Sequence, residues 1–248
     1  MALFVDSIPS EPSDLSQYES SIFQTAAAEG IDLATKGTVA ATELNLEIQR
    51  FLLRVAAASN ISINQVVVTD ALRRWHILRT LSLTYLDAYH QQLNERYKHK
   101  LDAYLVLCES AADLLFQLGV GITYSPIHRP DRPFLGQVVG VHEASAWFAK
   151  VSWISIHGAE SEASPLASIG TEPGSSLTVA RPAPPVNALA WNVYVGSSED
   201  TLARQNPAPL MLSEQWLLPD EGLRSGMAPP NGQNPDASLR RTTTFLRG

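Results

Sequence analysis

The sequence contains one cysteine, and that scarcity limits the sites the chain can build. Cys108 has no second cysteine with which to form a disulfide, and a cysteine-rich zinc site is excluded for the same reason. Cys108 falls on an apolar helical stripe, which predicts a buried, unreactive thiol. No apolar run approaches the roughly 18 residues that a membrane span needs. The N-terminal segment lacks the basic start of a secretory signal, so we expect neither membrane insertion nor export.

Basic residues and catalytic motifs are also scarce. Lys and Arg number 18 against 25 Asp and Glu, and the net charge of −7 disfavours a general nucleic-acid binder. The chain has no GxSxG or HExxH motif, and none of its six histidines is followed by another at the fourth position. We therefore predict that the protein is not an enzyme and has no catalytic residue, no cofactor and no metal site.

Proline is absent over a long first segment of the chain. None lies between Ser13 and Ser125, whereas fourteen of the sixteen occur from Pro126 onward. Proline breaks helix interiors and punctuates loops. The distribution predicts a helical half followed by a loop-rich half. Together with about seven short strands in the second half, it predicts an α+β fold, in which an N-terminal α-helical bundle is followed by a small β-sandwich.

The longest helical pattern runs over residues 69–119 and contains no internal proline or glycine. Thr69 is placed to cap its start, and Gly119 to end it as a left-handed cap. Asn94 predicts a second N-cap in the middle, so we predict two helices of about 20 and 25 residues packed as a hairpin. One unbroken helix is the alternative. Two earlier helices are predicted over residues 14–29 and 38–58.

From residue 137 the apolar period changes to two, which indicates strands. The predicted strands are 138–141, 148–156, 177–179 and 191–195, with a further one near 166–169. The predicted organisation is a helical domain at 1–125 with an extended arm at 1–12, a proline-rich linker at 126–136, a sandwich at 137–218 and an extended tail at 219–248.

The candidate contact residues for a partner fall into three sets. The first set is the apolar stripes of the hairpin, Trp75, Leu78, Tyr85, Tyr89, Tyr97, Leu101 and Tyr104. The second is the basic cluster of Arg73, Arg74 and Arg79, and the third lies in the tail at Arg240, Arg241 and Phe245. Residues 1–32 hold six acidic residues and no Lys or Arg, so acidic and basic surfaces could pair between copies of the chain. Charge pairs within the chain are the alternative.

The helical half resembles the head-to-tail connector (adaptor) proteins of tailed bacteriophages. The residues that carry this resemblance are VVVTDALRRWHILRTLSLTYLDAY (66–89) and LNERYKHKLDAYLVLCESAADLLFQLGVGI (93–122). The β half resembles a fibronectin type III or immunoglobulin-like module, through AKVSWISIHGAESEASPLAS (149–168) and ALAWNVYVGSSEDTLARQN (188–206).

The resemblance implies a structural subunit of the virion neck, made in the host cytoplasm. Copies would form a homo-oligomeric ring, usually of twelve, between the portal protein and the tail or neck proteins. Double-stranded DNA would pass non-specifically through the channel. Another phage neck or baseplate protein is the alternative from the same resemblance. A carbohydrate-binding or adhesion module is an alternative suggested by Trp153, Trp191 and Trp216.

Overall fold

The computed structural model describes residues 1–56 and 60–241, which divide into two compact units. Among the described residues, the helical unit comprises Ser7–Tyr124 and residues 235–241. The β unit comprises Met1–Asp6 and Ser125–Asn234. The predicted fold class, helices in the first half and antiparallel sheets in the second, is confirmed.

The described part of the helical unit contains five α-helices. Their bounds are α1 Pro12–Leu15, α2 Ile22–Glu29, α3 Leu33–Val55, α4 Asp70–Gln92 and α5 Glu95–Leu118, with a 3₁₀ turn at Ile63–Gln65. The prediction of a single helix over residues 14–29 is therefore wrong. The chain turns between α1 and α2, where Glu19 becomes buried instead of lying on a helix surface.

The hairpin of α4 and α5 is confirmed. The Thr69 hydroxyl accepts the Leu72 amide, and the Asn94 carboxamide accepts the Arg96 amide at 2.9 Å. Between the helices, Leu93 closes the turn in the left-handed region at φ 50° and ψ 33°. The predicted left-handed cap at Gly119 is wrong, since its φ of 112° and ψ of 144° lead into a strand.

The third helix begins earlier than predicted. The Asp32 carboxylate caps it by accepting the Ala34 amide at 3.0 Å, and Gly37 therefore lies inside α3 rather than before it. This glycine faces His76 of α4, whose ring would lie 3.8 Å from an added Cβ. That distance is ordinary van der Waals contact, so helix packing leaves room for a methyl group at position 37 and does not require glycine there.

Strand β1 (Val120–Ile122) pairs with β10 (Ala237–Leu239) in the helical unit. Two of the residues predicted for an extended docking tail, Arg240 and Arg241, follow β10 directly. A Cβ on Gly119 would meet Ser238 at 2.8 Å, so the glycine permits this close approach.

The β unit is built from two antiparallel sheets. One contains β4 (Ala167–Thr171), β3 (Ser145–Ser155), β6 (Ala188–Gly196) and β7 (Ala203–Arg204), with β8 (Leu210–Met211) also paired to β6. The other contains β2 (Phe134–His142), β5 (Ser175–Ala180) and β9 (Trp216–Leu217). The strands predicted from alternation all occur, and the cross-strand pair Trp153 and Trp191 anchors the core.

Several predicted domain boundaries need correction. The proline-rich segment 126–136 is not a free linker, because Ile127 is buried in the β core and β2 starts at Phe134. The N-terminal arm divides between the units: Met1–Asp6 belong to the β unit, where the Asp6 carboxylate accepts the Arg129 amide at 2.7 Å, and the rest of the arm belongs to the helical unit. The predicted tail divides as well, because the chain up to Asn234 belongs to the β unit and residues 235–241 to the helical unit.

Candidate functional site

The basic cluster of α4 pairs with acidic residues of the same chain. Arg73 donates to both carboxylate oxygens of Asp14, at 2.9 and 2.7 Å, and Arg79 is bonded to Glu43 of α3. Arg73 and Arg79 are thus paired within the chain, so they do not supply charges for a contact between two copies. Arg74 is exposed and makes no ion pair with any residue that the structure describes.

A buried glutamate joins the start of α2 to the hairpin. Glu19 is 9% exposed and accepts from Lys100, from the Tyr104 hydroxyl at 3.1 Å and from the Ser21 hydroxyl at 2.7 Å. Burial by itself would raise the pKa of Glu19. The hydrogen bonds from Lys100 and Ser21 and the charge of Lys100 outweigh burial and hold this pKa at about 2. Tyr85 stacks on Tyr104 with ring centres 5.6 Å apart, beneath the Lys100 ammonium.

A second buried polar contact ties α3 to α4. The Nε2 atom of His76 lies 2.9 Å from the Gly37 carbonyl, which can only accept, so Nε2 donates. In the neutral ring Nδ1 then accepts the Ser10 hydroxyl at 2.6 Å. Burial lowers the pKa of His76 and keeps this neutral form.

The predicted apolar contact residues lie mostly in the interior. Trp75, Leu78, Tyr85, Leu101 and Tyr104 are between 1% and 8% exposed. These five are not available to a second copy, and the prediction that they form partner contacts is wrong. Apolar periodicity identifies the buried face of a helix, and here the chain itself covers that face. Tyr89 and Tyr97 are half-buried, and the Tyr97 hydroxyl donates to Glu29 at 2.7 Å.

The arginines of the tail also contact their own chain. The Arg241 guanidinium lies 5.4 Å from the Phe116 ring centre and 3.9 Å from the Asp113 carboxylate. Arg240 donates to the Leu118 carbonyl at 3.0 Å. Phe245, the third residue predicted in the tail, lies outside the described residues.

Several exposed apolar side chains of the helical unit lie outside the predicted contact set. Val39, Leu46 and Leu53 repeat every seven residues along α3 and are 42%, 64% and 75% exposed. On α5, Leu107, Leu114 and Leu118 are 41%, 37% and 55% exposed. We call these sets the α3 stripe and the α5 stripe.

A signal for the α3 stripe was present in the sequence. The α3 stripe repeats at seven residues, while the buried residues Leu44, Ile48 and Phe51 repeat at four and three on another face of the same helix. A helix with one buried face needs only one such pattern. Two apolar patterns on one helix therefore indicate two contact faces.

A groove lies between α3 and α5, on the side of Trp75. Two adjoining cavities of about 460 and 480 Å³ share Glu47, Phe116 and Arg241 in their lining. Leu44, Phe51 and Cys108 add apolar surface. Arg241 already occupies part of this groove through its contact with Phe116.

The β unit contains a polar network centred on Glu160. One oxygen, Oε1, accepts the Ser152 hydroxyl at 2.5 Å, the Asn192 amide at 2.6 Å and the Tyr194 hydroxyl at 2.6 Å. All three donors are at most 2% exposed. Burial and the carboxylate raise the pKa of Tyr194, so its hydroxyl stays protonated as a donor. Each donor is used, which indicates a structural network rather than a reactive site.

The remaining sequence candidates are accounted for by packing. All five tryptophans are at most 9% exposed, so none offers the open ring face that sugar binding needs. Cys108 is buried, and burial raises the pKa of its thiol.

Within residues 1–56 and 60–241, no three His, Cys, Asp or Glu side chains are grouped to hold a metal ion. Over the same residues, no helix combines the length and apolar character required to cross a bilayer.

Comparison with protein-family models gives no match to this chain, and comparison with curated proteins gives no significant one.

Proposed function

We propose that the protein is a structural virion protein, a subunit of the head-to-tail connector (adaptor) ring that joins the portal to the tail. The observation that carries this proposal is the pair of exposed apolar stripes on α3 and α5. Large apolar residues that recur at the surface mark sites of protein association. The role is one of assembly, and it requires no catalytic residue or cofactor.

The shape of the helical unit supports this proposal. Helices α4 and α5 have 23 and 24 residues, or about 35 Å each at 1.5 Å per residue, and follow shorter helices as in the family that the sequence resembles. Rods of this length present long sides to a neighbour. Copies side by side would make a ring whose two ends contact the portal protein and the tail or neck proteins.

The charge of the chain supports non-specific passage of double-stranded DNA through such a ring. The net charge is −7, and α5 has no Lys or Arg between Leu101 and Leu118. A channel that attracted phosphates strongly would hold the DNA as it moved. We propose assembly in the host cytoplasm and final location in the virion neck.

Another neck or baseplate protein is the second candidate, and the same exposed stripes support it equally. The carbohydrate-binding alternative loses its support because the tryptophans that suggested it are buried.

The test is assembly of the purified protein, alone and with the portal protein of the same virion, by native mass spectrometry and negative-stain imaging. We expect a closed ring, of twelve copies if it follows the family, that binds one end of the portal. A ring that ignores the portal would favour the baseplate or another neck position. A monomer under both conditions would contradict the proposal.

A further inference from the structure

The groove between α3 and α5 has two parts that meet at Phe116. The Phe116 ring packs against Phe51 of α3 with ring centres 4.7 Å apart, and against Trp75 of α4 at 5.7 Å. Phe51 lines the cavity of about 460 Å³ and Trp75 the cavity of about 480 Å³, and we call them the Phe51 cavity and the Trp75 cavity. Leu44 and Ala112 also line the Trp75 cavity, so an apolar side chain placed there would be removed from water.

The C-terminal chain passes the end of α5 and leads into this groove. Strand β10 is antiparallel to β1, so the chain after β10 turns back alongside α5. Arg240 donates to the Leu118 carbonyl at 3.0 Å, and the Arg241 amide donates to the Phe116 carbonyl at 3.0 Å. Each step of the chain therefore moves towards the start of α5. Residues 242–248, TTTFLRG, follow from this point.

The reach of these residues matches the position of the Trp75 cavity along α5. An extended chain advances about 3.3 Å per residue, so the four steps from Arg241 to Phe245 span about 13 Å. On α5, eight steps separate Phe116 from Cys108, which is about 12 Å at 1.5 Å per residue. An extended path would therefore bring Phe245 to the level of Cys108, which lines the Trp75 cavity.

The Trp75 cavity has an excess of acidic side chains. Arg79 in its lining is bonded to Glu43, and Arg241 lies 3.9 Å from the Asp113 carboxylate. The other charged side chains of this lining are both acidic, Glu47 and Glu109.

The Phe51 cavity is basic instead. Arg50 and Arg54 line it, and neither makes an ion pair with any residue in the described part of the chain. The one charged residue of the segment 242–248 is Arg247. Like charges repel and unlike charges attract, so charge directs this segment to the Trp75 cavity and away from the Phe51 cavity.

We propose that residues 242–248 bind in the Trp75 cavity of their own chain, with the Phe245 ring at the level of Cys108. The same segment of another copy would find the same surfaces. The chain's own segment starts in the groove, however, so its effective concentration there is far higher. This inference concerns a single copy and goes beyond the proposed function, on which it does not depend.

The single cysteine provides the test. In the full chain with Phe245→Cys, mild oxidation with diamide should form a disulfide between positions 245 and 108, because a disulfide needs Cα atoms only about 4.4–6.8 Å apart. Non-reducing gel electrophoresis should show a faster-migrating monomer, and mass spectrometry of its peptides identifies the bond.

The matched control is Leu246→Cys. Successive side chains of an extended segment point to opposite sides, so position 246 faces away from the cavity floor when position 245 faces it. This variant should stay reduced under the same treatment. Equal disulfide formation in both variants would contradict the proposed position of Phe245.

A second measurement leaves Cys108 as the only thiol. Phe245→Ala should raise the rate at which a thiol reagent labels Cys108 by about tenfold, because the ring that covers this part of the cavity is removed. Leu246→Ala should leave the rate unchanged. An unchanged rate in Phe245→Ala would overturn the proposal even if the disulfide forms.

The remaining outcomes separate this inference from other occupants and from the proposed function. A disulfide found only between two chains would mean that the groove binds the segment of another copy, and the inference would be wrong. If the unmodified protein forms no ring while Phe245→Cys closes its disulfide within one chain, the proposed function fails and this inference stands.

Discussion

The two units bind a glutamate carboxylate in contrasting ways. Glu19 in the helical unit accepts hydrogen bonds from a lysine and two hydroxyls, whereas Glu160 in the β unit accepts from two hydroxyls and an amide. The first carboxylate therefore has a cation beside it, and the second has only neutral donors. The helical unit relies on charge to join segments distant in sequence, since 81 positions separate Glu19 from Lys100.

Both units leave apolar side chains in solvent, although they differ in what they bury. The β unit encloses four tryptophans, Trp147, Trp153, Trp191 and Trp216, between its sheets. The helical unit buries one face of α3 and leaves the α3 stripe in solvent. The β unit also leaves apolar side chains in solvent, since Phe134, Val139 and Val141 of β2 are 68%, 96% and 65% exposed. The proposal of assembly through the helical unit therefore rests on the regular repeat of the α3 stripe along one helix.

The largest expected effect is in the β core. Trp191→Ala should lower the free energy of unfolding by about 3–5 kcal/mol, because it leaves a cavity beside Trp153 and removes a bond to the Met211 carbonyl. Urea unfolding followed by near-ultraviolet circular dichroism measures it. Leu189→Ala, on the same strand but 50% exposed, is the control and should change stability little. Equal losses for both would mean that the β core is not closed around Trp191.

Replacing each glutamate by glutamine tests the contrast between the units. Glutamine keeps an acceptor oxygen but no charge, so Glu160→Gln should cost about 1 kcal/mol. Glu19→Gln leaves Lys100 without its counter-charge and should cost about 2–3 kcal/mol. Chemical unfolding at pH 7 measures both. If Glu160→Gln lowered the free energy of unfolding more than Glu19→Gln, the conclusion that the helical unit depends on the charge of its glutamate would be wrong.

Acid should weaken the helical unit in two steps. The pKa of His76 is lowered by burial, so only the unfolded chain takes up a proton just below pH 6.5, and stability falls there. The pKa of Glu19 falls from 4.5 to about 2, so its contribution, at most about 3 kcal/mol, is lost as the pH drops through that range. Helical signal during urea unfolding at several pH values measures both. His76→Gln should remove the first step only, and an unchanged first step would contradict this assignment.

The smallest effect is expected at the hairpin turn. Leu93 is 72% exposed with φ 50°, whereas every positive-φ residue of the β unit is a glycine. Leu93→Gly should raise stability by about 0.5–1 kcal/mol, since glycine adopts this conformation without strain. Leu93→Ala removes the same side chain but keeps the strain, so it should give no gain. Thermal unfolding compares the two, and equal stability of both variants would exclude strain as the cause.

Local patterns were sufficient for most elements of the fold. Thr69 and Asn94 each lie directly before the helix that they cap, so the starts of both hairpin helices could be predicted from the local sequence. The alternation around Trp153 likewise identified β3. Glu19 shows the limit, because a helical pattern ran through it while its partner Lys100 lies in another helix.

The candidate site was less predictable than the fold. Apolar periodicity gave the buried face of the hairpin, and we expected that face to contact another copy. Arg73 shows a similar error, because its partner Asp14 lies 59 positions away and no local pattern links them. Arg74 is one of the predicted contact residues that remain exposed on the surface. The exposed α3 stripe had its own signal in Val39, Leu46 and Leu53.

By itself the sequence determined the division into helices and strands, the hairpin and the absence of a disulfide, since these follow from neighbouring residues and composition. Only the tertiary structure decided which unit residues 1–6 and 235–241 join, which charges pair within the chain and which apolar faces remain in solvent. Those outcomes depend on contacts between residues far apart in sequence. The exposure of a side chain depends on which distant segment folds over it, and the local apolar periodicity carries no information about that segment.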